Sequence, residues 1–408
     1  MTAVAATIFI LTYAGVALGR VPGLMLDRTG IALLGAMAMV LFGVETIPQA
    51  TAAIDIPTIL LLYALMIVSA QLRLGGFYTW VVLKSTARLT HPRSFLLIMM
   101  ALSALLSAIL ANDIVCLAFT PVLALTLYSA NMNPVPFLLG LAISSNIGSA
   151  ATIIGNPQNM LIGQMGNLHF GQFLIWCGPP SIISLIAAYY LICKVYKDRF
   201  MDHGRVEDLP KHKPWPAFNQ WQSIKGLVAT AILMILFFTP IPREYSAIAI
   251  AGILLCSRKM RSRKILELVD WHLITLFCAL FVVIHGIGIY QIPQSIMAFL
   301  SRQGIEVRSL LMLTGISTVM SNLVSNVPAT LLLIQFLEPS NHVQWYVLAL
   351  SSTYAGNLVL IGSIANLIVI EQARIFGIRI SFREHAKTGI PVTVLSLFIL
   401  TIWIWAMS

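Results

Sequence analysis

Two apolar runs fix most of what this chain can become. Residues 95–130 and 309–338 each exceed the roughly 20 residues that one helix needs to cross a bilayer, and polar residues interrupt each near its middle. The first break reads Ala111-Asn112-Asp113, inside LSAILANDIVCLAFTPV, and the second reads Ser325-Asn326-Val327-Pro328. Non-helical backbone at membrane depth is tolerated only where it is buried in protein or lines a cavity. Each run is therefore expected to enter the membrane, turn at mid-depth and return as a re-entrant hairpin. Asp113 sharpens the expectation, because an ionisable group at that depth is expensive and usually functional.

Composition supports the bilayer premise. Hydrophobic residues make up 58% of the 408 and charged residues 10%, whereas a soluble domain carries about 25% charged residues. Further apolar runs fall at 2–19, 31–47, 57–74, 135–165, 172–193, 223–242, 244–257, 271–292, 343–370 and 388–407, which reads as an all-α polytopic membrane protein. The N-terminus lacks the basic segment of a signal peptide, so residues 1–24 read as an N-terminal transmembrane helix. The net charge of +10 points to Lys and Arg gathered in cytoplasmic loops, not to a nucleic-acid partner. Five singly spaced cysteines imply neither a disulfide framework nor a structural zinc.

The basic loops set the topology. Two apolar runs separate the loops 194–213 and 258–264, so both can be cytoplasmic. Counting outward from them places Lys84, Arg88, Arg93, Arg374, Arg379, Arg383 and Lys387 on the same side and both termini outside. The two hairpins then enter from opposite sides, which predicts inverted repeats. The segment from Asp55 aligns with that from Asp270, and ISSNIGSAATIIGNPQN at 143–159 aligns without gaps on LSSTYAGNLVLIGSIAN at 350–366. That alignment matches Ser144 with Ser351, Ser145 with Ser352, Gly155 with Gly362 and Asn159 with Asn366. Repeat one then covers 25–195, with hairpin 95–130 and a broken helix at 135–165; a cytoplasmic linker covers 196–222. Repeat two covers 223–408, with hairpin 309–338 and a broken helix at 343–370.

Broken helices offer unpaired N–H groups with a partial positive charge to an anion, and freed carbonyls to a cation. Asn112, Asn146, Asn156, Gln158, Asn159, Ser325, Asn326, Asn357, Gly362 and Asn366 are the candidate solute-binding residues. No Lys or Arg stands among them, which favours a monoanion or a neutral hydroxylated solute over a polyanion. Asp113 has Val327 as its repeat counterpart, so it breaks the symmetry as a coupling site for a proton or sodium would. Sodium near Asn112, Asp113 and Gly155 is compatible with this pattern, and no other cofactor or metal is expected. The competing structural readings are that the amides only join helices, that Asp55 and Asp270 cap helices, and that His285 packs rather than relays protons. No constellation of nucleophile, base and metal indicates an enzyme.

The stretches ANDIVCLAFTPV, SNIGSAATIIGNPQN and SNVPATLLLI resemble the ion transporter superfamily. This includes arsenite permeases, citrate-transporter-like anion permeases, antiporters of the NhaD type and dicarboxylate/sodium symporters. The first two branches match most closely. The resemblance implies a secondary transporter of the bacterial inner membrane, often homodimeric, in which a transport domain moves as an elevator against a scaffold. Dicarboxylate symporters carry Ser-Asn-Thr at both hairpin tips and this chain does not, which argues against a dicarboxylate. The expected function is proton- or sodium-coupled transport of a small anion or an uncharged oxyacid such as arsenous acid, with efflux preferred. A sodium/proton antiporter and sodium-coupled carboxylate uptake are the alternatives, and an ATPase partner stays open.

Overall fold

The computed structural model describes residues 1–19, 23–85, 89, 91–201, 217–304 and 306–407, and none of these residues lies in a strand. The first half contains α1 (Thr2–Leu18), α2 (Arg28–Leu41), α3 (Ile47–Ala53), α4 (Ile56–Leu74), α5 (Phe77–Ser85), α6 (Pro92–Ile109), α7 (Asn112–Ser129), α8 (Val135–Ser149), α9 (Pro157–Met165) and α10 (Phe170–Val195). The second half contains α11 (Gln220–Leu236), α12 (Arg243–Leu255), α13 (Ser262–Leu266), α14 (Trp271–Ile289), α15 (Ile292–Arg302), α16 (Leu310–Val324), α17 (Asn326–Ile334), α18 (His342–Ala355), α19 (Ile364–Ile375) and α20 (Phe382–Met407). A 3-10 turn, Leu360–Gly362, precedes α19. By length and composition, α4, α6, α7, α10, α14 and α20 can cross a membrane, and the chain is an all-helical, multi-pass membrane protein. Arg88, Arg205, Lys211, Lys213 and most of the 196–222 linker lie outside the described residues.

Local chemistry sets the helix ends. Asp55 accepts from the backbone N–H of Thr58 at 2.8 Å and Asp270 from that of Leu273 at 2.9 Å, so both aspartates cap their helices. α1 stops at Gly19, whose φ of 73° is the left-handed conformation that glycine adopts without penalty. α6 ends at Leu110, which is extended, and α7 starts at Asn112. α16 and α17 meet at Ser325, held at φ 76° and ψ 160°. An L residue there stores about 1–3 kcal/mol of strain, which is common at functional sites.

Packing gives each half the same internal order. α6 lies along α8 as α16 lies along α18, and across the halves α10 lies along α20. The halves also exchange partners, with α2 against α14 and α12 against α4. The apolar runs do not map one to one onto helices: the run 31–47 ends as a helix at Leu41 and turns through Glu45 into α3. In that turn the buried Glu45 carboxylate meets His285 Nδ1 of α14 at 2.7 Å. His285 is thus tied to a carboxylate away from the polar breaks.

α6 and α8 approach closely at Gly148, where any Cβ would run into the backbone of Ala104 in α6. Gly148→Ala should therefore lower the detergent melting temperature, with a cost of about 1–3 kcal/mol for overpacking. Gly315→Ala in α16, where a Cβ meets nothing within 4 Å, should leave the melting temperature unchanged or raise it.

Candidate functional site

The polar breaks converge. Four helices begin at one small cavity of about 20 Å³: α7 with Asn112 and Asp113, α9 with Pro157 and Gln158, α17 with Asn326 and Val327, and α19 with Ser363 and Ile364. Asn146 of α8 and the strained Ser325 complete the wall. Each helix start carries up to about half a positive charge from unpaired N–H groups. Asp113, half-buried in the first turn of α7, is the only carboxylate of the wall among the described residues. Among the described residues no cation pairs with it. The Oδ1 of Asn112 is buried with no partner among the described residues.

The tips are fastened to the broken helices. The backbone N–H of Asn112 donates to Gly155 O at 3.2 Å, and Ser145 Oγ donates to Asn112 O at 3.3 Å. In the amide orientation that satisfies its neighbours, Asn326 donates to Ser352 O and Gly362 O, both at 3.2 Å. In that orientation it also accepts from Gln158 Nε2 at 3.3 Å, which joins the second tip to the first broken helix.

Behind the cavity, a second set of amides keeps the unwound segments in place. α8 stops at Ser149 and α9 starts at Pro157, and Asn159 Nδ2 reaches back to the carbonyls of Ser149 at 3.2 Å and Thr152 at 3.0 Å. In the other half, Asn366 Nδ2 reaches back to Gly356 O at 2.8 Å and Val359 O at 3.5 Å. The two clamps are cross-linked: Asn146 Nδ2 donates to Asn366 Oδ1 at 3.1 Å, and Thr353 Oγ1 donates to Asn159 Oδ1 at 3.5 Å. The helix caps repeat the pattern, since Ser363 Oγ donates to Asn146 Oδ1 at 2.9 Å and Asn156 Nδ2 donates to Thr353 Oγ1 at 3.3 Å.

The ten candidate residues thus divide. Asn112, Asn146, Gln158, Ser325 and Asn326 line the cavity with Asp113, whereas Asn156, Asn159, Asn357, Gly362 and Asn366 lie behind it in the supporting network. Asn357 accepts from Asn146 Nδ2 at 2.8 Å, and Gly362 packs where a Cβ would meet the Asn322 amide oxygen. Sequence reasoning passed over Thr353 and Ser363. They occupy the positions of Asn146 and Asn156 in the gapless alignment of 350–366 on 143–159, so the signal was present. It also passed over the buried His385 of α20, whose Nε2 stands 3.4 Å from Asn366 Nδ2. Nothing in its local sequence marks that contact. No group of three or more His, Cys, Asp or Glu capable of holding a metal occurs among the described residues.

With that geometry in place, residues 8–355 match the citrate transporter family, CitMHS. The chain belongs to this family. It falls within the ion transporter superfamily that the hairpin motifs resemble. The 46 kDa membrane protein of Mycobacterium leprae is 30% identical, covering 99% of this chain and 98% of its own. The silicon efflux transporter LSI3 of Oryza sativa subsp. japonica is 29% identical over 92% of this chain and 91% of its own. The putative transporter arsB of Dictyostelium discoideum is 25% identical over 92% and 87%. The chain is thus a member of a membrane transporter family.

Removing either clamp should be felt as a loss of stability. Asn159→Ala strands the carbonyls of Ser149 and Thr152, and Asn366→Ala strands that of Gly356, while Val359 O keeps the backbone N–H of Gly362 at 2.9 Å. Each should cost about 1–3 kcal/mol, the penalty for buried polar groups without partners. Thermal unfolding in detergent checks this, with Gln294→Ala, at an exposed position of α15, as a control expected to stay near wild type.

Proposed function

We propose that this chain is a secondary active transporter of a small anion or uncharged oxyacid, coupled to a proton or sodium gradient. The observation that carries the reading is the convergence of four helix N-termini and one carboxylate on a single buried cavity. A ring of positive helix ends favours electron-rich oxygens, and the absence of Lys and Arg from the wall disfavours a polyanion. Asp113 is the group in that ring suited to bind the coupling proton or cation. The Oryza relative, named for silicon efflux, supports an uncharged oxyacid and the outward direction.

The matched order of the two halves, with exchanged packing and cross-linked clamps, supports two inverted repeats related through the cavity. In this reading α6–α7 and α16–α17 act as re-entrant hairpins that carry the solute. α2, α4, α12 and α14 form the scaffold past which they move as an elevator. The cavity of about 20 Å³ is near the minimum of roughly 10–15 Å³ that a water requires. The tips must therefore separate to admit a larger solute. The protein works as a homodimer in the bacterial inner membrane, with loops 194–213 and 258–264 facing the cytoplasm.

The water-sized cavity beside Asp113 also favours a second reading, sodium/proton antiport without any other solute. Reconstituted vesicles separate the two. Under the first reading, Asp113→Asn should fold normally, carry solute down its own gradient, and lose accumulation driven by an imposed proton or sodium gradient. Gradient-driven accumulation equal to wild type would remove Asp113 from coupling. Cation exchange in vesicles that contain no solute would favour the antiporter.

A further inference from the structure

Away from the cavity, the segment between α12 and α13 forms one wall of a cleft of about 380 Å³, bounded also by the end of α4 and the start of α11. Lys259, Arg261 and Lys264 line it with Asn219 and Gln222, and no carboxylate among the described residues does. Among the described residues these three cations make no ion pair; the adjacent Arg263 pairs outward with Glu267 at 3.2 Å. α11 begins here under its Asn219 cap, so a positive helix end adds to the three charges.

The surroundings place this cleft at a membrane boundary. Trp80 stacks on Phe218 with ring centres 5.3 Å apart, and Trp221 is 66% exposed. Aromatic rings at the ends of apolar helices mark the interface between lipid and water. From Trp221 the exposed face of α11 continues as Ile224, Leu227 and Val228. A cationic cleft that opens onto an apolar helix face matches a molecule with an anionic phosphate at one end and hydrocarbon behind it.

We infer that this cleft binds the phosphodiester headgroup of an anionic phospholipid, with the acyl chains lying along α11. Arg261 offers a planar fork to two phosphate oxygens, while Lys259 and Lys264 act as point charges. The apolar face is what separates this site from one for free phosphate.

Thermal unfolding of the full chain in detergent tests the inference, with phosphatidylglycerol, phosphatidylcholine or glycerol phosphate added. Phosphatidylglycerol should stabilise the wild type saturably, and the other two should not. Lys259→Gln, Arg261→Gln and Lys264→Gln together should weaken that response at least tenfold, whereas Arg374→Gln, Arg379→Gln and Arg383→Gln together should leave it within twofold. Equal stabilisation by phosphatidylcholine, an unchanged response in the first triple variant, or saturation by glycerol phosphate alone would each overturn the inference. If that variant does not fold, photoreactive phosphatidylglycerol on the wild type decides. Labelling within 217–229 and 255–266 supports the site, and labelling confined to other segments refutes it.

Discussion

Unwinding a helix inside a bilayer strands backbone carbonyls where no water can reach them, at several kcal/mol each. The rest of this molecule depends on how that cost is met. Asn159 and Asn366 turn back onto the carbonyls their own breaks release, and each is held by a polar side chain from the opposite half, Thr353 and Asn146. Each clamp is thus buttressed from the opposite half. The cavity is one place where the two halves join, alongside the α2–α14, α4–α12 and α10–α20 contacts.

That joint also explains the cavity's chemistry. The helices that restart after each break point their N-termini inward, as do the second helices of both hairpins. Most of the amides that support the backbone stay behind the wall, and the side chains that line it are few: Asn112, Asn146, Gln158, Asn326, the strained Ser325 and the carboxylate of Asp113, with Asn146 and Asn326 serving both wall and support. Among the described residues the Oδ1 of Asn112 has no partner and Ser325 is strained, and these two sit at the two tips.

Much of this was legible in the sequence because polar residues inside long apolar runs have few places to go. The expected breaks at 111–113 and 325–328 fall at Leu110–Ala111 and at Ser325, with the remaining polar residues opening α7 and α17, and these, the unwound segments near Gly155 and Gly362, and the caps at Asp55 and Asp270 follow from local residue chemistry. The division of Asn residues between wall and support was not legible, since an amide that binds a solute and one that binds a carbonyl are the same residue type. Contacts across great sequence distance were hidden as well. Glu45 and His285 lie 240 residues apart, and neither local stretch indicates the other. The short helices α3, α5, α13 and α15 escaped because they are too short or too polar to register as apolar runs.

In the proposed reading the two hairpin tips form one binding site from two halves of the chain. Thermal stabilisation of purified protein by arsenite, antimonite, silicic acid, phosphate, sulfate, citrate and succinate tests it most directly, with wild type, Asn112→Ala and Asn326→Ala compared side by side. A solute that stabilises the wild type and loses its effect in both variants is the expected result. Stabilisation that survives unchanged in both would place the solute away from the tips and contradict the account.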